Sequence, residues 1–205
     1  MNIQYHNEEI PLIIIDDFYD DTEVREIMVE LDYLSDSKRM IEPLKDETGV
    51  TDIKNVGCVY LDEFFWNRKS SNILTVTEKI FSDECSIINN HPHWFFDMRA
   101  IDMHHTQILY YEDANEYQSH YDESRLTVLT YFYKEPKRFE GGDLLFPDFN
   151  MQVECVNNRL VIFPSIVNHA STPVVMDEAH KTKKRGKYCI TQFLDHRFKE
   201  YGTPQ

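Results

Sequence analysis

From residue 94 onward the chain breaks into eight short runs, and that rhythm constrains its fold more than any other feature. The runs read HWFFDMRAID, HTQILYY, RLTVLTYFY, GGDLLF, MQVECV, RLVIFP, HASTPVV and KYCITQFL. They are rich in β-branched and aromatic residues, and Gly, Asn, Asp or Pro signals separate them, the pattern of successive strands. Helical signals come earlier. Asp20 and Glu23 have the spacing of a capping box, and Val24, Ile27, Met28 and Leu31 follow at helical intervals. SNILTVTEKIF, residues 71–81, reads as a second amphipathic helix with Ile73, Thr77, Ile80 and Phe81 on one side. IPLIIIDD, residues 10–17, reads as a buried strand entering a turn. The expected class is mainly β with α: a sandwich or jelly roll with helices packed on one side.

A chain of 205 residues suggests one domain. It divides into a helical support and lid region, 1–93, and a β core, 94–198. The polar stretch 35–57 reads as a long loop of the kind that forms lids. The chain carries 13 Phe, 12 Tyr and 2 Trp, which excludes a disordered polymer. Its formal charge of −15 repels phosphate backbones, so no nucleic-acid partner is expected. HKTKKRGK, residues 180–187, is a local basic exception and reads for the most part as a solvated hairpin loop. Cys58, Cys85, Cys155 and Cys189 are scattered and form no C-x-x-C pair, as suits a reducing cytosol. No apolar run approaches the ~20 residues of a membrane span. The expectation is a soluble, cytoplasmic protein with no membrane partner.

Candidate chemistry begins at SHYDESRLTVLTYFY. In an extended strand His120 and Asp122 would point to one face. Alone, that pair is also a plausible polar turn before a strand. His169, which ends RLVIFPSIVNH, supplies a third donor 49 residues after His120. Two histidines and one carboxylate on one face form the triad that leaves adjacent positions open on Fe(II) for a co-substrate and O2. In KYCITQFL, alternation groups Lys187, Cys189, Thr191 and Phe193. If that face is inward, the Lys187 ammonium needs an anion, which a dicarboxylate would supply. The alternative is a strand-end lysine that reaches solvent.

The order H-x-D, RLTVLTY, GGDLLFP, RLVIFPS with NHAS, and a basic residue in GKYCITQ resembles the Fe(II)/2-oxoglutarate oxygenases. The similarity is greatest to the prolyl 4-hydroxylase-like branch and covers about residues 105–195. It implies a double-stranded β-helix, of jelly-roll or cupin-like form. It also implies Fe(II), 2-oxoglutarate and O2, with ascorbate as an auxiliary reductant. His120, Asp122 and His169 fall on the catalytic iron ligands. Lys187 falls on the residue that binds the distal carboxylate of 2-oxoglutarate, and Tyr111, Thr191 and Tyr131 fall on its pocket. Arg125 falls where it would face the substrate. The implied reaction hydroxylates a C–H bond, that of a prolyl residue in a peptide or protein, and releases succinate and CO2. The presence of Asp122, where halogenating relatives carry a small residue, favours hydroxylation.

A small-molecule hydroxylase, for instance of a free amino acid, stays open as an alternative, as does a non-catalytic binding module. Nucleic-acid demethylases of this superfamily carry R-x-N-x-T-x-R. Here Lys187, Cys189, Thr191 and Phe193 stand at those places. The chain also departs from the branch at Tyr133, in place of Asn, and at Phe193, where many relatives have Trp. Tyr133 is expected near the point that decides substrate identity. The 18-residue spacing from His169 to Lys187 is longer than usual, and VMDEAHKTKKR fills it.

Overall fold

Period-2 burial organises the molecule. The structure is a computed structural model, and it describes residues 1–35, 39–40 and 53–196. Most of the stretch expected to be a lid, 36–38 and 41–52, lies outside the described residues. The strands in chain order are β1 (Asn2–His6), β2 (Leu12–Asp16), β3 (Gly57–Tyr60), β4 (Met103–Tyr111), β5 (Tyr117–His120), β6 (Leu126–Phe132) and β7 (Phe139–Gly141). They continue with β8 (Leu144–Phe146), β9 (Met151–Val153), β10 (Arg159–Pro164), β11 (His169–Ser171), β12 (Val174–Met176) and β13 (Lys187–Asp195). The helices are α1 (Asp21–Leu34), α2 (Leu61–Phe64) and α3 (Asn72–Val76).

A large antiparallel sheet runs β1-β2-β10-β6-β13-β4-β3, and a smaller one runs β5-β11-β8-β9, with β12 and β7 paired beside them. The large sheet is covered on both faces. On β6, Leu126, Val128 and Phe132 pack outward into a core shared with Ile27, Leu31 and Leu34 of α1 and Ile73 of α3. Leu129 and Tyr131 of the same strand face a second core, shared with Leu144 and Phe146 of the small sheet. The strands β2, β10 and β13 alternate in the same way. This is the expected jelly roll with helices on one side, and the second core is where a site can form. Among the described residues no helix is long and apolar enough to cross a membrane.

The capping box of α1 is present. Asp20 accepts from the backbone of Thr22 and Glu23, and Glu23 accepts from the Asp20 backbone at 2.7 Å. The expected helix 71–81 is shorter: α3 gives way to a 3₁₀ turn over Thr77–Phe81. Three consecutive β-branched residues crowd the helix there, and the hydroxyls of Thr75 and Thr77 bond back to the carbonyls of Ser71 and Leu74. HWFFDMRAID forms two 3₁₀ turns rather than a strand. His93 and Asp97 accept from the amides of Phe95 and Arg99, so local side-chain bonds replace a ladder. HASTPVV splits into β11 and β12 around Pro173, which has no N–H to give. In the basic loop Lys181 pairs with Asp113 at 2.8 Å and Lys184 bonds the Asp32 carbonyl, while Lys183 stays exposed.

Glu30 ties the helical layer together. It is buried and accepts from the Ser71 hydroxyl at 2.5 Å and from the Ile73 amide at 3.1 Å. Glu30→Ala leaves both donors buried without an acceptor, a cost of about 1–3 kcal/mol. Thermal unfolding followed by circular dichroism is expected to show a midpoint roughly 3–10 °C lower. An unchanged midpoint would remove Glu30 from the account of how this layer is held.

Candidate active site

The two sheets meet where β5 ends and β11 begins. His120 and His169 are direct partners in the antiparallel register, and their rings lie 4.2 Å apart. Each ring is oriented from behind. Nδ1 of His120 lies 2.8 Å from the Gln118 carbonyl, and Nδ1 of His169 lies 2.9 Å from the Val167 carbonyl. A carbonyl only accepts, so Nδ1 donates in both rings and Nε2 is the atom left to face the cluster.

Asp122 does not continue the strand. It sits in the bend after β5, held by its amide to the Ser165 carbonyl at 3.1 Å and by the Thr127 hydroxyl on Oδ2 at 2.5 Å. Its carboxylate reaches both rings, at 3.6 Å from Nε2 of His120 and 3.4 Å from Nε2 of His169. The three side chains offer one donor atom each, all within 4.8 Å of one another. Burial lowers the pKa of His120, and the neighbouring His169 lowers it further. Burial raises that of Asp122, but bonding and charge from His169 and the Thr127 hydroxyl outweigh it, for a net fall. A neutral imidazole and an ionised carboxylate are the ligating forms.

A narrow cavity runs inward from this cluster to Lys187. Lys187 is 2 % exposed, and its Nζ bonds the Gly142 carbonyl at 2.7 Å and the Ser171 hydroxyl at 2.8 Å. The same ammonium lies 4.2 Å from the centre of the Tyr111 ring and 5.0 Å from that of Tyr131. No carboxylate among the described residues pairs with it. The Tyr131 hydroxyl is buried beside the cavity without a hydrogen-bond partner. Burial raises the pKa of both tyrosines well above the ordinary value, so they stay phenols. An unpaired cation and an orphaned phenol at the inner end fit a carboxylate, and the donor set at the outer end fits a divalent iron.

The glycine pair of GGDLLF builds this inner end. Gly141 has φ +72°, and a Cβ there would fall 2.1 Å from the Pro173 carbonyl oxygen. Gly142, at φ +73°, turns its own carbonyl onto Lys187. Only glycine adopts this backbone without strain.

Of the two alternatives for β13 the inward face is found: Lys187, Cys189, Thr191 and Phe193 all line the cavity, with Tyr111 and Tyr131 beside them on the neighbouring strands β4 and β6. Arg125 is not brought there. Its guanidinium bonds the Trp94 carbonyl at 3.1 Å, away from the cavity lining. Tyr133 is also elsewhere, buried in the second core edge-on to Phe139, so it is not placed to decide a substrate.

Tyr117 goes unrecognised in the sequence. It stacks on His120 at 3.7 Å and lines the cavity. Tyr117 pairs with Ser171 while His120 pairs with His169, a register shift that puts an extra residue in β5. Strict alternation would send Tyr117 and His120 to opposite faces, and the bulge returns both to one. Outside the cluster lies a second, open cleft that shares Tyr117, His120, Asp122 and Phe193 with the inner cavity. Tyr60, Tyr121, Glu123, Asp195 and Lys54 also line it.

Residues 106–195 match the family model described as the 2OG-Fe(II) oxygenase superfamily. That segment, 90 of the 205 residues, is a 2OG-Fe(II) oxygenase domain by this match. Its class of activity is 2-oxoglutarate-dependent dioxygenation, and the family implies Fe(II), 2-oxoglutarate and O2. No curated protein matches the oxygenase in sequence. Its fold is that of the prolyl 4-hydroxylase branch. A prolyl-4-hydroxylase from Pseudomonas putida is 16% identical at a TM-score of 0.63, over 91% of this chain and 93% of that one. The viral collagen prolyl hydroxylase of Paramecium Bursaria Chlorella virus-1, in its 2OG complex, is 16% identical at 0.58, over 91% and 96%. A prolyl hydroxylase from Trichoplax adhaerens, in complex with a hypoxia inducible factor oxygen degradation domain peptide fragment, is 15% identical at 0.63, over 90% and 83%.

Proposed function

We propose that this oxygenase hydroxylates a C–H bond of a prolyl residue in a peptide or protein. The observation that carries the reading is the place of the His120, Asp122 and His169 cluster. It stands between a narrow cavity ending in an unpaired cation and a wider cleft walled by tyrosines. His120, Asp122 and His169 would hold Fe(II). Bound there with 2-oxoglutarate and O2, the iron supplies the oxidising power that turns C–H into C–OH, with succinate and CO2 released. Lys187 and the Ser171 hydroxyl would hold the distal carboxylate of 2-oxoglutarate, and Tyr131 would donate its unused proton to it. Leu109, Leu129 and Leu144 keep the cavity wall apolar and exclude water from it. Substrate enters by the outer cleft, where Tyr60 and Tyr121 offer ring faces to a pyrrolidine.

The relatives in fold support this reading, one of them holding a peptide in its complex. A nucleic-acid substrate is disfavoured by the charge of −15 and by Glu123 and Asp195 in the cleft. One observation favours a second reading, a free amino acid. The Lys54 ammonium is held by Gln107 at 3.4 Å and Cys58 at 3.3 Å, with no carboxylate partner among the described residues. It shares the cleft with Glu123 and Asp195, so both signs are present for a zwitterion.

Two experiments test the proposal. With Mn(II) in place of iron, 2-oxoglutarate at 100 times its dissociation constant is expected to stabilise the chain by about 2.7 kcal/mol. No shift in the unfolding midpoint would refute the assignment. Mass spectrometry of peptides incubated with enzyme, Fe(II), 2-oxoglutarate and ascorbate then reads the substrate. One oxygen gained on proline supports the first reading, and oxidation of a free amino acid with unchanged peptides supports the second.

A further inference from the structure

We propose that Thr127 and Ser165 are positioning residues for Asp122, joined with Ser124 in a one-way chain of hydroxyls that commits Oδ2 of the carboxylate and leaves Oδ1 without a hydroxyl donor. The inference rests on the reading of His120, Asp122 and His169 as metal ligands.

Three hydroxyls stand in series behind the carboxylate. Thr127 Oγ1 lies 2.5 Å from Asp122 Oδ2, Ser165 Oγ lies 2.8 Å from Thr127 Oγ1, and Ser124 Oγ lies 2.7 Å from Ser165 Oγ. Thr127 and Ser165 are fully buried. Each hydroxyl has one proton, and an ionised carboxylate can only accept. The Thr127 proton therefore goes to Asp122. Thr127 must accept from Ser165, and the Ser165 proton is used there. Ser124 is left to donate to Ser165, with the Leu126 carbonyl at 3.2 Å as its weaker option. All three donors thus point the same way, toward Oδ2.

The backbone locks the same residues together. Asp122 donates its amide to the Ser165 carbonyl at 3.1 Å, and Ser165 donates its amide to the Arg125 carbonyl at 3.2 Å. The bend carrying Asp122 is thereby fastened to the end of β10 next to β6. This is needed because Asp122 lies beyond β5, where no strand ladder fixes its side chain. Oδ1 lies 3.6 Å from His120 Nε2 and takes no hydroxyl proton among the described residues. Both carboxylate oxygens face the cluster, Oδ2 at 3.4 Å from His169 Nε2, but only Oδ2 takes a hydroxyl proton among the described residues. The outer end, Ser124, lines the open cleft, so the chain of hydroxyls reaches from the metal ligand to the place where substrate enters.

The test is Mn(II) binding to the whole chain by calorimetry, with metal-free thermal unfolding measured alongside. Thr127→Val keeps the shape and removes the donor, and the dissociation constant is expected to rise roughly 10–100-fold. Thr127→Ser restores the donor and should return binding to near the parent value. Ser165→Ala is expected to fall between them and Ser124→Ala to have the smallest effect, since water in the cleft can replace it. Should Thr127→Val not fold, Ser165→Ala decides: weaker Mn(II) binding with unchanged metal-free unfolding supports the proposal. Unchanged Mn(II) affinity in Thr127→Val or Ser165→Ala, or a larger loss at Ser124 than at Thr127, overturns it. A parent chain that bound no Mn(II), or His120→Ala binding it as well as the parent, would instead bring down the ligand assignment.

Discussion

Asp122→Ala is expected to eliminate 2-oxoglutarate turnover, with succinate formation reduced by three orders of magnitude or more, a loss of roughly 4 kcal/mol at least. Two effects combine. One of three donor side chains within 4.8 Å of one another is gone, and the Thr127 hydroxyl loses its acceptor in a buried setting. The second effect costs about 1–3 kcal/mol of folding stability rather than of rate. It also frees His169 and His120, whose Nε2 atoms share this carboxylate. The folded core should survive, because Asp122 belongs to neither apolar core. The measurement is succinate released per enzyme at saturating 2-oxoglutarate and Fe(II), with circular dichroism as the control for folding. Turnover within tenfold of the parent would sink the assignment of Asp122 as an essential ligand.

The parts of this site that are legible in the sequence are those governed by a regular period. The large sheet alternates without interruption through β13, so alternation alone assigns Lys187, Cys189, Thr191 and Phe193 to one face, and all four line the cavity. The α1 cap is legible because a capping box is a local device, complete within four residues. Legibility fails where the chain leaves its period. Strand β5 reads YQSH, with no apolar alternation to mark it, and its bulge hides the fact that Tyr117 and His120 share a face. Asp122 is expected on a strand and stands in a bend, placed by Ser165 from a segment distant in sequence. The serine and threonine hydroxyls behind it carry no sequence signal, because their role depends on tertiary contact. Arg125 and Tyr133 show the converse: the motif position is recognisable, but the side chain goes to Trp94 in one case and into the core in the other.

Lys187→Met separates the two ends of the cavity. The parent ammonium is buried with two neutral hydrogen-bond partners and two aromatic faces, and with no anion among the described residues. A buried charge in that state is costly until a carboxylate arrives. Methionine has nearly the same length and no charge, so the ligand-free variant is expected to unfold at or above the parent temperature. Binding of 2-oxoglutarate should move the other way. Truncating one partner of a buried, hydrogen-bonded charge pair costs about 2–5 kcal/mol, which is a rise in the dissociation constant of roughly 30-fold to several thousandfold. Mn(II) affinity should stay at the parent value, because Lys187 touches none of His120, Asp122 or His169. Calorimetry with Mn(II) alone and then with 2-oxoglutarate reads both quantities on one sample. A variant that lost metal binding would show that Lys187 acts by holding the cavity in shape. One that kept its affinity for 2-oxoglutarate would show that the cation serves some other anion.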